Sequence, residues 1–199
     1  MLSRDLIVLP SAYLAPISYY YFLSVNDEVI IDVHENFVKG SIRNRTYLLG
    51  PNGNILLTVP KKKTMFRSMS KIEISCISKW TSKHWKTIIS CYNSSPYFKY
   101  YKYDFENIYS CEHNYLFELN KKLNDLILDI LKIKSNCIYS TDYVITQNKK
   151  LDFRHRKYLQ QFNYSKVFKE HDNKNELSVI DLIFNLGPDS EKYLKSIYI

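Results

Sequence analysis

Glycine is scarce in this sequence. Only four glycines occur among 199 residues, at positions 40, 50, 53 and 187. Walker loops and GxGxxG turns need clustered glycines, because the backbone there must approach a phosphate closely. Neither motif is present. We therefore predict no ATP-activating loop, no dinucleotide-binding turn and no bound cofactor.

Metal and hydrolase motifs are also missing. The chain has no DxD, GxSxG or HxxxH motif, and its His and Cys residues lack the spacing of a zinc site. The four cysteines include no CxxC pair, and nothing in the sequence indicates secretion. These absences predict no metal site, weaken a metal-dependent glycosyltransferase interpretation, and favour reduced thiols in a cytoplasmic protein.

The longest uncharged stretch is residues 6–25, which is long enough to raise the question of a membrane span. It contains Pro10 and Pro16, however, and a proline inside a helix costs about 3 kcal/mol. Its continuous apolar part, residues 6–9, is far too short to cross a bilayer. We predict a buried strand, a turn and a short helix here, and no membrane span.

The remaining composition is that of a globular protein. Hydrophobic residues make up 45% and charged residues 24% of the chain, which has no repeat and no linker-like segment. A single domain over residues 1–199 is the simplest interpretation. The formal net charge is +8. This charge attracts nucleic acid, anionic membranes, nucleotide-sugar phosphates or an acidic carrier protein, and does not choose among them.

The pattern of elements predicts an α/β fold, with α+β as the alternative. Strands at residues 6–9 and 28–33 flank a helix at 16–24, which indicates a parallel βαβ unit. Strands at 46–49 and 55–59 flank a glycine-proline turn and form a hairpin, so we expect a mixed sheet flanked by helices. The other expected elements are a strand at 71–77, helices at 81–92, 112–132 and 177–185, an irregular segment at 147–171, and a last helix opened by Pro188.

Residues 32–45 form the most distinctive polar segment, since they follow the second predicted strand, where α/β sheets usually bind ligands. Arg43 and Arg45 are candidates to clamp a pyrophosphate, because guanidinium groups present paired donors. Asp32 and Glu35 are candidates to bind an amine or to act as a base. The alternative is a solvated loop whose acids and arginines pair structurally.

A second candidate group surrounds His84, which lies between Lys83 and Trp85 near the start of a helix. Histidine suits proton transfer at neutral pH, although a packed core histidine is the commoner case. Cys91, two turns further on, is a weaker candidate nucleophile. Asp181 shares a helical face with Ser178 and Asn185, and either forms a structural ion pair or orients Arg43, Arg45 or His84.

Basic residues also cluster at Lys61 to Lys63 and, later in the chain, at Lys149-Lys150 with Arg154-His155-Arg156-Lys157. Such runs are usually solvated surface. A functional interpretation is docking of a tRNA or an acidic carrier protein.

Taken in order, these segments resemble the WbqC-like protein family over nearly the whole chain. The matching positions are residues 12–16, Asp32, Glu35, Lys39, 41–45, 52–53, 57–60, Trp80, 84–88, Tyr92, 95–98, 177–185 and 187–188. Two positions depart from the family pattern. Val8-Leu9-Pro10 replaces a His-Gln-Pro type start, and Lys166 lies where Gln is expected.

The resemblance implies a role in O-antigen (lipopolysaccharide) or related surface polysaccharide synthesis, with a glycine or other amino-acid transferase activity. The first hypothesis is an N-acyl or aminoacyl transferase that acts on a nucleotide-linked amino sugar. His84, or Asp32 with Glu35, would act as the base, and Asn44 or Ser95 would stabilise the oxyanion. Further substrate contacts are expected from Arg43, Arg45, Lys39, Trp80, Tyr97 and Asp181.

Because ATP-binding loops are missing, the acyl donor would arrive already activated, on a carrier protein or as aminoacyl-tRNA. Two alternatives from other classes stay open. One is a non-catalytic binding component of the polysaccharide assembly machinery, and the other is an atypical glycosyltransferase.

Overall fold

A computed structural model describes residues 6–76, 78–146, 148–168 and 175–197. Its strands are β1 (Ile7–Pro10), β2 (Glu28–Asp32), β3 (Arg45–Gly50), β4 (Gly53–Thr58) and β5 (Asn136–Tyr139). Its α-helices are α1 (Ile17–Val25), α2 (Trp80–Tyr92), α3 (Phe98–Ser110), α4 (Leu116–Ile130), α5 (Val179–Leu186) and α6 (Asp189–Ser196). The predicted α/β class is confirmed.

The predicted βαβ unit is present and forms the centre of a parallel sheet. Strand β1 pairs in parallel with β2, so that Leu9 lies opposite Ile31, and α1 makes the crossover. The strand order is β1-β2-β5, with β2 in the middle. Strand β5 is missing from the sequence prediction, because its four residues lie at the sheet edge and are half-buried or exposed.

The predicted hairpin is also present, and it forms a sheet of its own. Strands β3 and β4 pair antiparallel, with Gly50 opposite Gly53 across a two-residue turn. Gly53 has a φ of +102°, a backbone angle that favours glycine. The strands expected in one mixed sheet are therefore divided between a parallel sheet and a hairpin.

The helices differ from the sequence prediction at two places. Helix α3 was not predicted, since its Tyr-rich and Lys-rich sequence buries only Phe98, Phe105 and Tyr109. Helix α4 begins at Leu116, later than expected, because the preceding residues are extended and the Asn114 carbonyl accepts a hydrogen bond from the Ile74 N–H.

The strand predicted at residues 71–77 is wrong over its described part. A 3-10 helix covers Met69–Lys71, and residues beyond it form only isolated bridges, Lys61 with Ile74 and Glu73 with Tyr115. Ile77 lies outside the described residues. The segment at 148–168 is irregular as predicted, apart from a 3-10 helix at Lys149–Leu151 and a bridge from Asp152 to Val8. Gln147 and residues 169–171 lie outside the described residues.

One continuous hydrophobic core joins residues from every helix and both sheets. The uncharged N-terminal segment is inside it, since Tyr13, Tyr19 and Tyr20 are buried. Each of these tyrosines has a hydrogen-bond partner for its hydroxyl, which removes the cost of burying it. None of the helices in the described part of the chain is long and apolar enough to cross a membrane.

Candidate functional site

A cavity of about 390 Å³ opens between two segments that are far apart in sequence. Its walls are residues 38–43 and 45–47 on one side and residues 154–159 on the other, with Pro16, Asn175 and Glu176 between them. The lining contains one carboxylate, Glu176, and several cations: Lys39, Arg43, Arg45, Arg154, Arg156 and Lys157. We call this space the basic cavity.

Asp32 fixes the position of the second wall through Arg154. It is fully buried at the end of β2, and its carboxylate accepts a hydrogen bond from Arg154 Nη1 at 2.6 Å. It also accepts from Ser140 Oγ and from the N–H groups of His34 and Val144. Asp32 does not line the basic cavity. Its contacts favour a structural role over the predicted role as a base.

Arg43 and Glu35 form a second buried ion pair. Arg43 is 2% and Glu35 3% exposed, and Arg43 Nη2 donates to Glu35 Oε2 and to the Arg154 carbonyl. Burial raises the pKa of the Glu35 carboxyl more than Arg43 lowers it. Arg43 thus lies at the cavity wall but is committed to Glu35, which matches the alternative of structural pairing.

Arg45 is a predicted cation that is available to a ligand in the basic cavity. Its guanidinium packs against Gly40, and no ion pair joins it to any residue in the described part of the chain. Its Nε is buried, and within the same described ranges it has no hydrogen-bond partner. A buried donor without an acceptor is costly, and an anion in the cavity would supply the acceptor. Lys39 lies on the same wall and is exposed.

The second wall, residues 154–159, lies in a basic segment that was predicted to be ordinary solvated surface. Arg154 is buried by its pairs with Asp32 and Asp152, while Arg156 lies over the Phe22 ring at 4.7 Å. His155 and Lys157 are exposed at the cavity. The available signal was the position of Phe153 and Tyr158 on either side of residues 154–157. Phe153 is half-buried and Tyr158 is buried, so part of the run must face the core.

Glu176 was not among the predicted site residues, and its hydrogen bonds are structural. Its carboxylate accepts from the Ser18 N–H at 2.5 Å and from Ser18 Oγ at 2.9 Å, so it caps the N-terminus of α1. Burial raises the pKa of Glu176 to about 7, although the Ser18 bonds lower it. Beside it, Tyr158 has a buried hydroxyl that lacks a hydrogen-bond partner among the described residues.

His84 lies in an aromatic network outside the basic cavity. It is 7% exposed, its Nδ1 is 2.8 Å from the Tyr13 hydroxyl, and Trp80 packs edge-on against its ring. Burial lowers the pKa of His84 to about 4, so the ring is neutral. The Tyr13 N–H donates to the Ile42 carbonyl. Tyr13 therefore connects the histidine helix to the cavity loop, and His84 itself does not line the basic cavity.

The other predicted contacts are also outside the basic cavity. Asn44 is buried and donates to the Val59 carbonyl, which fixes the start of the hairpin. Ser95 and Asp181 face a depression too small for a water molecule, and Asp181 accepts from the Tyr164 hydroxyl at 2.5 Å. Tyr97 packs over Gly187. Trp80, Asn44, Tyr97 and Asp181 thus make contacts typical of structural residues, while the buried Ser95 hydroxyl has no hydrogen-bond partner in the described part of the chain.

The environment of Cys91 is unfavourable for a nucleophile. Burial raises the pKa of the Cys91 thiol to about 11, which keeps it protonated at neutral pH. Cys91 is a free cysteine and lies outside the basic cavity. No group of three or more His, Cys, Asp or Glu side chains in the described ranges is arranged to hold a metal ion.

Comparison with known proteins finds a family match that covers most of the chain. The model of the WbqC-like protein family matches residues 11–169. This range includes both basic walls of the cavity and excludes Glu176. No curated protein and no solved structure matches the chain.

Proposed function

The chain belongs to the WbqC-like protein family, and we propose that it binds a nucleotide-linked amino sugar in the basic cavity and transfers an acyl or aminoacyl group to the sugar amine. The observation that carries the proposal is the convergence of Lys39, Arg45 and Lys157 on one cavity that contains a single carboxylate. A pyrophosphate carries two negative charges, which suit several convergent cations.

The size and walls of the cavity support a ligand of this class. Its volume of about 390 Å³ is within the usual range for small-molecule sites, roughly 300–1,000 Å³. Val38, Ile42 and Leu159 provide apolar surface, and Tyr47 provides an aromatic ring beside the cations. A sugar or base can pack against such surface while its phosphates contact the cations.

Among the residues of the cavity wall, His155 is best suited to accept the proton of the sugar ammonium. The free amine would then attack the carbonyl carbon of the activated donor. A C–N bond forms, the C–S bond of a thioester or the C–O bond of an aminoacyl ester breaks, and the leaving group takes up a proton. In this proposal His155 takes the place of His84, Asp32 and Glu35, none of which lines the cavity.

The chain defines the acyl donor less closely than it defines the nucleotide sugar. The absence of ATP-binding loops in the sequence favours a donor that is activated elsewhere, on a carrier protein or on tRNA. Both donors are polyanions, and the chain has a net charge of +8. Long-range attraction between opposite charges would speed their encounter.

Substitution of Arg45 tests the binding step. Arg45→Gln should weaken the binding of a dTDP-4-amino sugar about tenfold to a hundredfold, because a hydrogen bond to a charged group contributes about 1.5–3 kcal/mol. Isothermal titration calorimetry measures this loss. Arg67→Gln, which makes the same chemical change at an exposed position outside the cavity, should bind like the unchanged chain. Equal affinity for all three proteins would contradict the cavity assignment.

The transfer step needs its own test. Purified protein is incubated with the amino sugar and either an aminoacyl-tRNA or an aminoacyl carrier protein, and mass spectrometry detects the N-acyl product. His155→Gln should lower the rate of product formation while leaving sugar-nucleotide affinity within about twofold. Absence of product with every donor would reject the transferase.

One observation favours a second candidate, a non-catalytic binding component of polysaccharide assembly. The predicted bases Asp32 and Glu35 are both held in buried ion pairs, and the cavity carboxylate Glu176 caps a helix. For this candidate, His155→Gln should leave the affinity for the nucleotide sugar unchanged, and the purified protein should form no N-acyl product with any donor. A strain that carries His155→Gln should make a polymer of normal composition.

A further inference from the structure

Residues 61–68 form a loop, here called the basic tip loop, that ends in two exposed apolar side chains. Met65 is 98% and Phe66 59% exposed. A single exposed apolar residue is ordinary on protein surfaces, but adjacent large apolar side chains at a loop tip indicate an interaction site. Neither residue lines the basic cavity.

The tip is surrounded by positive charge. Between residues 60 and 72 the chain has five Lys or Arg residues and no Asp or Glu. Lys62 pairs with Glu73, and Lys71 lies over the Phe66 ring at 5.1 Å. Lys63 and Arg67 flank the tip, are exposed, and form no ion pair within the described ranges. The surface therefore combines an apolar tip with cations on both sides.

The base of the loop is fixed by backbone hydrogen bonds. The Phe37 N–H donates to the Arg67 carbonyl at 2.7 Å, and the Met69 N–H donates to the Glu35 carbonyl at 2.9 Å. On the other side the Lys62 N–H donates to the Glu73 carbonyl. The loop is thus anchored to residues 35–37, which lead directly into the wall of the basic cavity at Val38.

We propose that the basic tip loop docks the chain onto an anionic phospholipid bilayer. Met65 and Phe66 insert between the lipids, while Lys63 and Arg67 contact headgroup phosphates. A bilayer is complementary to both the apolar tip and the flanking cations, since the acyl region stabilises apolar side chains and the anionic headgroups stabilise basic side chains. Single-stranded RNA fits less well, because a methionine offers no ring on which a base can stack.

Vesicle sedimentation tests the docking with the intact chain. The chain should sediment with vesicles of equimolar phosphatidylglycerol and phosphatidylcholine, and should stay in solution with phosphatidylcholine alone or at high salt. Met65→Ser with Phe66→Ser, or Lys63→Gln with Arg67→Gln, should each lower partitioning about tenfold or more. All four side chains are exposed, so these variants should fold normally, and a melting curve checks this.

A matched control uses another exposed cationic and aromatic surface. Lys99→Gln with Lys102→Gln on α3 removes the same charge beside the exposed Tyr100 and Tyr103. It should leave partitioning within about twofold of the unchanged chain. Loss of binding in this control but not in the tip variants would overturn the proposal.

A depth measurement separates insertion from surface adhesion. The native Trp80 and Trp85 are buried, so brominated lipids should not quench their fluorescence. Phe66→Trp adds a tryptophan at the tip, and its fluorescence should be quenched when the chain binds anionic vesicles with brominated acyl chains. No vesicle binding, binding without quenching, or preference for single-stranded RNA over vesicles would each reject membrane docking. Sugar-nucleotide affinity is measured separately, so the cavity assignment is unaffected by any of these results.

Discussion

At the scale of single residues, the histidine that the sequence singled out is part of a buried hydrogen-bond chain. Because burial lowers its pKa to about 4, the His84 ring is neutral at pH 7, with one donor and one acceptor nitrogen. The Thr58 backbone takes part in a hydrogen bond with the ring, which leaves Nδ1 to accept from the Tyr13 hydroxyl. The Tyr13 oxygen also lies 2.6 Å from the Tyr109 hydroxyl oxygen, so the three side chains form one hydrogen-bonded chain.

Removal of the central hydroxyl should destabilise the fold. Tyr13→Phe leaves His84 Nδ1 and the Tyr109 hydroxyl without their shared partner, which should lower the free energy of unfolding by about 1–3 kcal/mol. Urea denaturation followed by circular dichroism measures the loss. Tyr103→Phe, at an exposed tyrosine, should change stability by less than about 0.5 kcal/mol. A loss of nucleotide-sugar binding in folded Tyr13→Phe would instead restore His84 to the site.

At the scale of elements, the junction between α5 and α6 has no room for a side chain. Gly187 closes α5 with a φ of +54°, and a Cβ added there would lie 2.3 Å from Tyr97 Cδ1. The Tyr97 N–H in turn donates to the Phe184 carbonyl at 3.0 Å. Tyr97 is therefore constrained from both sides, which explains why its ring closes this junction instead of reaching a ligand.

Gly187→Ala should show this constraint directly. Backbone strain and overpacking act together, so the free energy of unfolding should fall by about 2–4 kcal/mol. Gly53→Ala is the matched control, because Gly53 also has positive φ but an added Cβ meets no atom within 4 Å. It should lose only about 1 kcal/mol. Equal losses in the two variants, compared by thermal denaturation, would show that contact with Tyr97 contributes nothing.

At the scale of the whole molecule, buried ionisable groups make stability depend on pH in opposite directions. The folded-state pKa of Glu176 is about 7, above the ordinary value of 4.5, so the folded state binds the extra proton between these values. Stability from Glu176 therefore rises as pH falls through 7. His84 acts in reverse, since its folded pKa of about 4 lies below 6.5 and the unfolded chain binds the proton first.

The unfolding free energy should thus rise by about 2 kcal/mol between about pH 8 and about pH 6. It should decline only below about pH 4.5, where Glu35 and Glu176 are both protonated in the folded and the unfolded chain and the His84 contribution remains. Glu35 contributes with the same sign as Glu176, so Glu176→Gln should reduce the rise without abolishing it. Guanidinium denaturation at a series of pH values measures both curves. Glu112→Gln, at an exposed carboxylate, should follow the unchanged chain. Parallel curves for the unchanged chain and Glu176→Gln would contradict the assignment of this slope to Glu176.

Whether a helix or strand could be predicted from the sequence depends on how far along the chain the interactions that order it extend. Hydrophobic periodicity and turn residues are local, so they were sufficient for β1, α1, β2, the hairpin and α2. Helix α3 and strand β5 have weak local patterns, because few of their side chains face the core. They are ordered mainly by packing against distant segments, which no short window of sequence contains.

The same contrast applies to the site. The sequence by itself determined the class of fold, the family resemblance, and a loop in which Lys39, Arg43 and Arg45 are concentrated. Only the tertiary structure decided which of these cations are available to a ligand, because Arg43 is paired with Glu35 in the folded chain. The second wall of the cavity is also a product of the fold, since the buried pair of Asp32 with Arg154 joins positions 122 residues apart. Charge type is encoded residue by residue, but whether a charge is paired depends on which partner the fold places within a few ångströms of it.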